Sequence, residues 1–459
     1  MVTENEKFKK MTETPIPKLI SRLAVPTILS MLVTSLYNMA DTFFIGKISG
    51  TTEQVTSATA SVAVVFSLMS VIQAVGFFFG HGSSNFISRA LGRQDVESAE
   101  TMATFGFVTS VFFGVIMCVL GLIFIKPLAY GLGSTDTILP YAVDYMKFIL
   151  IGAPLMCGSL VLNNQMRFQG NAVYSMLGII SGAVLNVALD AFFILHMGMG
   201  TDGAGIATAI GQTVSFIVLY SGMRFGNNVK IKLTKYRFNS ELMKEVFRGG
   251  LPALARQGLA GLATVSLNFV AKDYGGDVTI AVMGIVARVL AFFVSIILGF
   301  GQGFQPVCGY NYGAGKYSRV KEGFLFCIKT MEVIVVVLVV VLFVFSPYVI
   351  RAFSSDERII TLGSRALRIQ CFLLLFVPTT SYTSMLLQTI GKALPSTILS
   401  MARQGFFFLP MVFLLPLVLD VNGLIMAQLV ADILSFFLAL FFISKEKRIF
   451  NAYQAEHPQ

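Results

Sequence analysis

The sequence predicts an all-α integral membrane protein, with twelve transmembrane helices in two six-helix bundles related by a pseudo-two-fold axis along the membrane normal. Three observations predict it: the scarcity of charge, the alternation of basic loops, and a repeat that lays one half of the chain over the other. Of 459 residues, 55% are hydrophobic and 13% charged, whereas a water-soluble domain carries roughly 25% charged residues. With a mean hydropathy of +0.76 and apolar runs of about 20 residues along most of the chain, hydrocarbon is the solvent for most of it. An ordinary soluble enzyme is excluded.

Apolar runs bounded by Gly, Pro and charge place spans at 20–45, 55–79, 98–125, 139–161, 172–197, 203–223, 249–271, 278–301, 322–346, 360–386, 393–416 and 423–443. This layout puts most Lys and Arg in the tails and alternate loops on one side, leaving Lys47, Lys126, Lys272, Arg351 and Arg358 on the other. Both termini are therefore expected in the cytoplasm under the positive-inside rule. The same rule accounts for the net charge of +10, so no nucleic-acid partner is expected. The polar, basic N-terminus has no short apolar core before a cleavage site, so the first span is expected to be the insertion signal. Cys118, Cys157, Cys308, Cys327 and Cys371 lie singly in apolar context and read as small hydrophobes.

The halves repeat. At a shift of 221 residues, Gly80, Gly82 and Gly92 of GHGSSNFISRALGRQD fall on Gly301, Gly303 and Gly313 of GQGFQPVCGYNYGAGK, and Gly170 and Ser175 fall on Gly391 and Ser396. Gly203, Ala207 and Ser215 pair with Gly423, Ala427 and Ser435 at 220, and Pro26 with Pro252 at 226. An even number of spans per half gives both halves one orientation, hence parallel lobes about a cleft that opens to either side. The expected division is an N-terminal lobe over 1–223, a basic cytoplasmic linker over 224–248, and a C-terminal lobe and tail over 249–459.

Ionisable groups at membrane depth are costly and call for a partner or a task. Asp41 in SLYNMADTFFIGK and Asp190 in VLNVALDAFFIL sit at similar depth below the outer surface. Tyr37 lies one helical turn from Asp41 and Asn186 one turn from Asp190, and Thr208 in span six reaches the same level. Two carboxylates, an amide and a hydroxyl suit Na⁺ at Asp41, Asn186, Asp190 and Thr208, while crowded carboxylates equally suit a proton. The repeat carries no acids there: Asp41 falls on Leu267, and Asp190 on Pro410 or Met411. Arg288, Glu332, Arg403 and Asp432 lie near mid-depth and are candidates for buried ion pairing or transport. Pro26 removes a backbone hydrogen bond from span one and marks a candidate bend. His81 reads as a polar residue where span two meets its loop. No HExxH, P-loop, Asp-rich metal motif or nucleophile with a base is present, so no enzymatic activity and no cofactor beyond a coupling ion are expected.

The span-one stretch LYNMADTFFIG, the ISRALGRQD loop, LNVALD in span five and the QPVCGYNYGAGK loop, in this order across essentially the whole chain, together resemble the multidrug and toxic compound extrusion (MATE) transporters. The resemblance implies a V-shaped pair of lobes in a bacterial inner membrane and export of organic cations or other amphipathic compounds against Na⁺ or H⁺. It is nearest to the bacterial DinF-like branch, in which it implies that Asp41, Asp190, Asn186 and Thr208 form the cation site. It implies also that Pro26 accompanies bending of span one and that Tyr37 and Asn163 or Asn164 join the adjoining network. Members resembling the NorM branch carry acids in spans seven and ten; here span seven offers Arg256 and Gln257 and span ten none between Ile369 and Leu387. The expected partners are small amphipathic or cationic substrates and lipid, with the chain a monomer. The alternative function is a flippase for a lipid or lipid-linked oligosaccharide.

Overall fold

A computed structural model describes residues 4–48, 51–446 and 451. The described chain is helical throughout, in the order α1 (Glu4–Glu13), α2 (Ile16–Ile45), α3 (Thr52–Gly92), α4 (Val96–Ile123), α5 (Ile125–Gly131), α6 (Leu139–Phe168), α7 (Ala172–Asp190) and α8 (Gly200–Phe225). It continues through α9 (Ser240–Gly313), α10 (Tyr317–Arg351), α11 (Glu357–Gln370), α12 (Val377–Thr389), α13 (Ala393–Met401), α14 (Phe408–Leu414) and α15 (Pro416–Ser444). Among the described residues, ten helices are long and apolar enough to cross a membrane, and the bent pair Glu357–Leu375 and Val377–Thr389 makes an eleventh. The twelfth is the first part of α9, which Gly276 divides by adopting φ 60°, ψ −154°, a conformation open to glycine and costly for other residues. Its charges, among them Arg256 and Lys272, keep it below the hydropathy of the other spans.

In the N-terminal lobe α3 packs on α6 and α4, α6 on α8, and α7 on α8 and α2. The repeat is realised in atoms. Ser175 Oγ donates to the Asn163 carbonyl at 3.2 Å, and the residues 221 positions on, Ser384 and Ser396, bond in the same way, with Ser396 Oγ donating to the Ser384 carbonyl at 2.9 Å. The lobes meet chiefly along α3 and α9, where glycines bring backbones into contact. A Cβ on Gly92 would lie 2.2 Å from the Tyr310 carbonyl oxygen, on Gly82 2.4 Å from that of Val246, and on Gly313 2.2 Å from that of Arg89. The Arg89 guanidinium clamps this seam, donating to the Thr389 carbonyl at 2.7 Å and to Glu245 at 2.9 Å. The orientation expected from the basic loops makes the seam the cytoplasmic end.

Two expectations are corrected. The segments after Gly80 and Gly301 are not loops: α3 continues to Gly92 and α9 to Gly313. Ser83, Ser84, Asn85 and Ser88 are polar yet buried, because they face protein rather than water: Ser83 accepts from Gln165 Nε2 of its own lobe at 3.1 Å, and Ser88 abuts Gly309 of the other. His81 is accordingly buried inside α3, not at a loop boundary. The polar N-terminus forms α1, which straps the lobes together: Lys7 Nζ donates to the Asn227 carbonyl at 2.9 Å, while Asn311 Nδ2 donates to that of Met11 at 3.0 Å and Arg319 Nη2 to that of Thr14 at 2.6 Å.

The segment joining the lobes lies on the N-terminal bundle. Val229 N donates to Gln169 Oε1 at 2.7 Å, Lys232 pairs with Glu100 at 2.6 Å, and Tyr236 stacks on Phe105. Asn239 then caps α9 by accepting from Glu241 N at 2.8 Å.

Candidate functional site

Between α2, α3, α6, α7 and α8 lies a cavity that is partly open to solvent. Tyr37, Asn163, Asn186 and Thr208 line it. Asn186 Nδ2 donates to Thr208 Oγ1 at 3.2 Å, and the Tyr145 hydroxyl lies 3.4 Å from the same oxygen. This leaves Asn186 Oδ1 buried with no hydrogen-bond partner among the described residues. A buried amide oxygen so placed is an acceptor for a proton donor or a small cation.

Asp190 is fully buried, one helical turn beyond Asn186 at the end of α7. A π-helical turn, Ala191–His196, follows it directly; such turns recur at functional sites because they redirect side chains within a span. Asp190 lies behind the cavity wall rather than among its lining residues. Asp41 lies in α2, four residues beyond the cavity-lining Tyr37, and its side chain is outside the described residues. Pro26 is buried inside α2, which runs without a break past it. Ser30 Oγ donates to the Pro26 carbonyl at 2.9 Å. One residue on, Thr27 Oγ1 lies 2.8 Å from the Gly299 carbonyl of the other lobe. Asn164 is off the cavity surface and accepts from Arg167 Nη2 at 2.7 Å.

The mid-depth charges part ways. Arg403 and Asp432 form an ion pair at 2.6 Å, and Gln428 Nε2 donates to the other carboxylate oxygen at 3.1 Å. Glu332 instead accepts from Thr379 Oγ1 at 3.3 Å, and Arg288 is exposed and joins neither. Sequence reading missed Arg167, which it assigned to a cytoplasmic loop. α6 extends to Phe168 and buries it at the cavity, where one end of its guanidinium donates to Gln302 of the other lobe. The signal was present in NNQMRFQG, a run of amides around one Arg, but hydropathy alone ends the span before it. Tyr145 and Gln73 were missed as well: a tyrosine or glutamine inside a span carries no charge to draw notice.

The MatE family model matches residues 26–192 and 252–414, one stretch in each lobe. The multidrug export protein MepA of Staphylococcus haemolyticus is 27% identical over 96% of either chain. A solved structure described as the outward-facing conformation of a multidrug resistance MATE family transporter superposes with a TM-score of 0.90 at 26% identity, covering 98% of this chain and 99% of the other. A structure of MATE in a bent conformation superposes at 0.89 with 25% identity over 98% and 99% of the two chains. With both halves of the repeat matched, the cytoplasmic seam closed and a cavity in the first bundle, this chain belongs to the MatE family of membrane transporters.

Proposed function

We propose that this transporter exports amphipathic and cationic compounds from the cytoplasm by alternating access, and that Na⁺ or H⁺ bound at Asp41, Asn186, Asp190 and Thr208 drives the cycle. Multidrug export is the activity named for its relatives, and a partly open cavity lies beside Asn186. The observation that carries the ion-coupling part is the buried, open Asn186 Oδ1 one turn from the buried Asp190. A cation or proton arriving there gives Asn186 Oδ1 a partner beside a buried carboxylate. An ion moves a conformational equilibrium only through its different affinity for the two states. Occupancy therefore favours the conformation that encloses the site, and cargo affinity changes with it. The membrane is read as a bacterial inner membrane, with both chain ends on the cytoplasmic side.

The test is efflux from proteoliposomes under an imposed sodium gradient and, separately, an imposed pH gradient, for the wild type, Asp190→Asn and Asp41→Asn. Export driven by one gradient, and lost in both variants while binding of cargo persists, supports the reading. Full export by both variants overturns it. Export independent of either gradient favours lipid flipping.

A further inference from the structure

The cavity of the first bundle has a counterpart in the second. A space of about 770 Å³ in the C-terminal lobe is lined by Arg256, Gln257, Thr380, Ser384, Arg403 and Gln404, among others. Shifted by 221 residues, Ser159, Asn163, Gly182 and Ala183 of the first cavity fall on Thr380, Ser384, Arg403 and Gln404 of the second. At the 226-residue shift that pairs Pro26 with Pro252, Ser30 and Met31 fall on Arg256 and Gln257. The fold therefore builds one cavity twice, and where the first has Ser30 and Gly182 the second has two arginines. The cavities adjoin across the lobe boundary: Gln257 Nε2 of the second donates to Gln73 Oε1 of the first at 3.4 Å.

The two arginines differ in what they have left to give. Arg403 is matched by Asp432 at 2.6 Å, so that pair adds no net charge. Arg167, on the first cavity, is engaged by Gln302 and Asn164. Arg256 makes no hydrogen bond or ion pair with any described residue, and it is half-buried. A guanidinium at membrane depth without a counter-charge is costly. Its planar fork matches a carboxylate or phosphate through two parallel bonds. Around it, Gln257, Gln404 and Ser381 supply amide and hydroxyl donors for the remaining oxygen lone pairs.

We propose that the C-terminal cavity is an oxyanion subsite, in which Arg256 holds the acidic group of an amphipathic cargo whose body extends past Gln257 and Gln73 into the first cavity. The proposal rests on the exporter reading and names the place where the acid end of a zwitterionic cargo is held. In such a cargo, the ammonium end faces the N-terminal lobe and the acid end the C-terminal lobe. The same oxyanion chemistry is found in a lipid phosphate, so the test separates the two sources.

The experiment is equilibrium binding, by fluorescence anisotropy, of rhodamine 110, a zwitterion with a free carboxylate, and of rhodamine 123, its cationic methyl ester, to the purified full-length protein in detergent. The wild type is expected to bind the acid about tenfold more tightly than the ester, as a charged hydrogen-bonded pair allows. The preference should shrink as salt is raised. Arg256→Gln should remove it while leaving the ester within about twofold, and Arg256→Lys, which keeps the charge but not the fork, should retain part of it. Ester binding with no preference for the acid in the wild type overturns the anion subsite and leaves the exporter reading standing. Failure of both dyes to bind overturns both. Equal weakening of both dyes by Arg256→Gln shows a merely structural arginine and overturns the proposal. Loss of the preference on adding phosphatidylglycerol, but not phosphatidylcholine, assigns the site to lipid phosphate and overturns the cargo assignment.

Discussion

Replacing Gly92 by Ala adds one methyl group at the closed seam, and the structure says what it meets. The new Cβ would stand 2.2 Å from the Tyr310 carbonyl oxygen and 3.0 Å from the Gly313 Cα, both backbone atoms of the other lobe. Because real Cβ contacts stay beyond 3.0 Å, the two helices must separate locally by about 0.8 Å, the difference between 3.0 and 2.2 Å. No flexible side chain is available to yield. Overpacking of this kind costs about 1–3 kcal/mol, and here the cost falls only on the conformation whose cytoplasmic seam is shut. The expected result is a shift of roughly 5- to 150-fold towards the cytoplasm-open state. Spin labels at the exposed Arg93 and Glu322 positions, on a cysteine-free background, bracket the seam for pulsed dipolar spectroscopy. Gly92→Ala should add a longer-distance component to the distribution. Gly131→Ala is the control, since a Cβ there meets nothing within 4 Å. An unchanged distribution in a Gly92→Ala protein of normal thermal stability would refute the claim that glycine contacts set the balance between states.

Further outcomes follow from individual contacts. Arg89→Met removes the bonds to Thr389 and Glu245 and should move the same label distance in the same direction as Gly92→Ala; an unchanged distance would show that the clamp contributes nothing to closure. Arg403→Met leaves Asp432, 1% exposed, without its partner and should cost about 3–5 kcal/mol. The double variant Arg403→Met, Asp432→Leu should recover most of that in a thermal unfolding series. Asp95→Ala removes the cap of α4, in which Asp95 Oδ1 accepts from Ser98 N at 3.0 Å, and should cost about 0.5–2 kcal/mol at this half-buried site. Bonds from the Ser98 side chain and amide hold the Asp95 carboxyl below its usual range. The cap's contribution is thus present at neutral pH and lost as pH falls through that depressed pKa; the difference between Asp95→Ala and wild type should vanish in acid.

Some of the architecture could be read directly from residue order. Hydrocarbon admits only backbones that satisfy their own hydrogen bonds, so the apolar runs of α4 and α10 declare themselves as helices. The recurrence of Gly80, Gly82 and Gly92 at Gly301, Gly303 and Gly313 discloses the duplication before any coordinate is known. Asn186 and Thr208 could be joined by helical spacing and depth alone, and they are hydrogen-bonded. Which polar residues face protein rather than water could not be read, because hydropathy scores a serine identically in a loop and in a helix contact such as those where Ser83 and Ser88 are buried. Arg167 was hidden for this reason, and so was the matching of Arg403 with Asp432 rather than with Glu332 or Arg288. Pairing between spans depends on the rotation of each helix about its own axis, which the packing of its neighbours sets. The sequence by itself determined the helical class, the approximate spans and the duplication, since these depend on transfer between water and hydrocarbon along one chain. Only the tertiary structure decided that the seam closes at one end, that the cavity is built twice, that Arg167 is buried at it, and that Arg256 is left without a partner among the described residues, since these depend on which faces of separate helices meet.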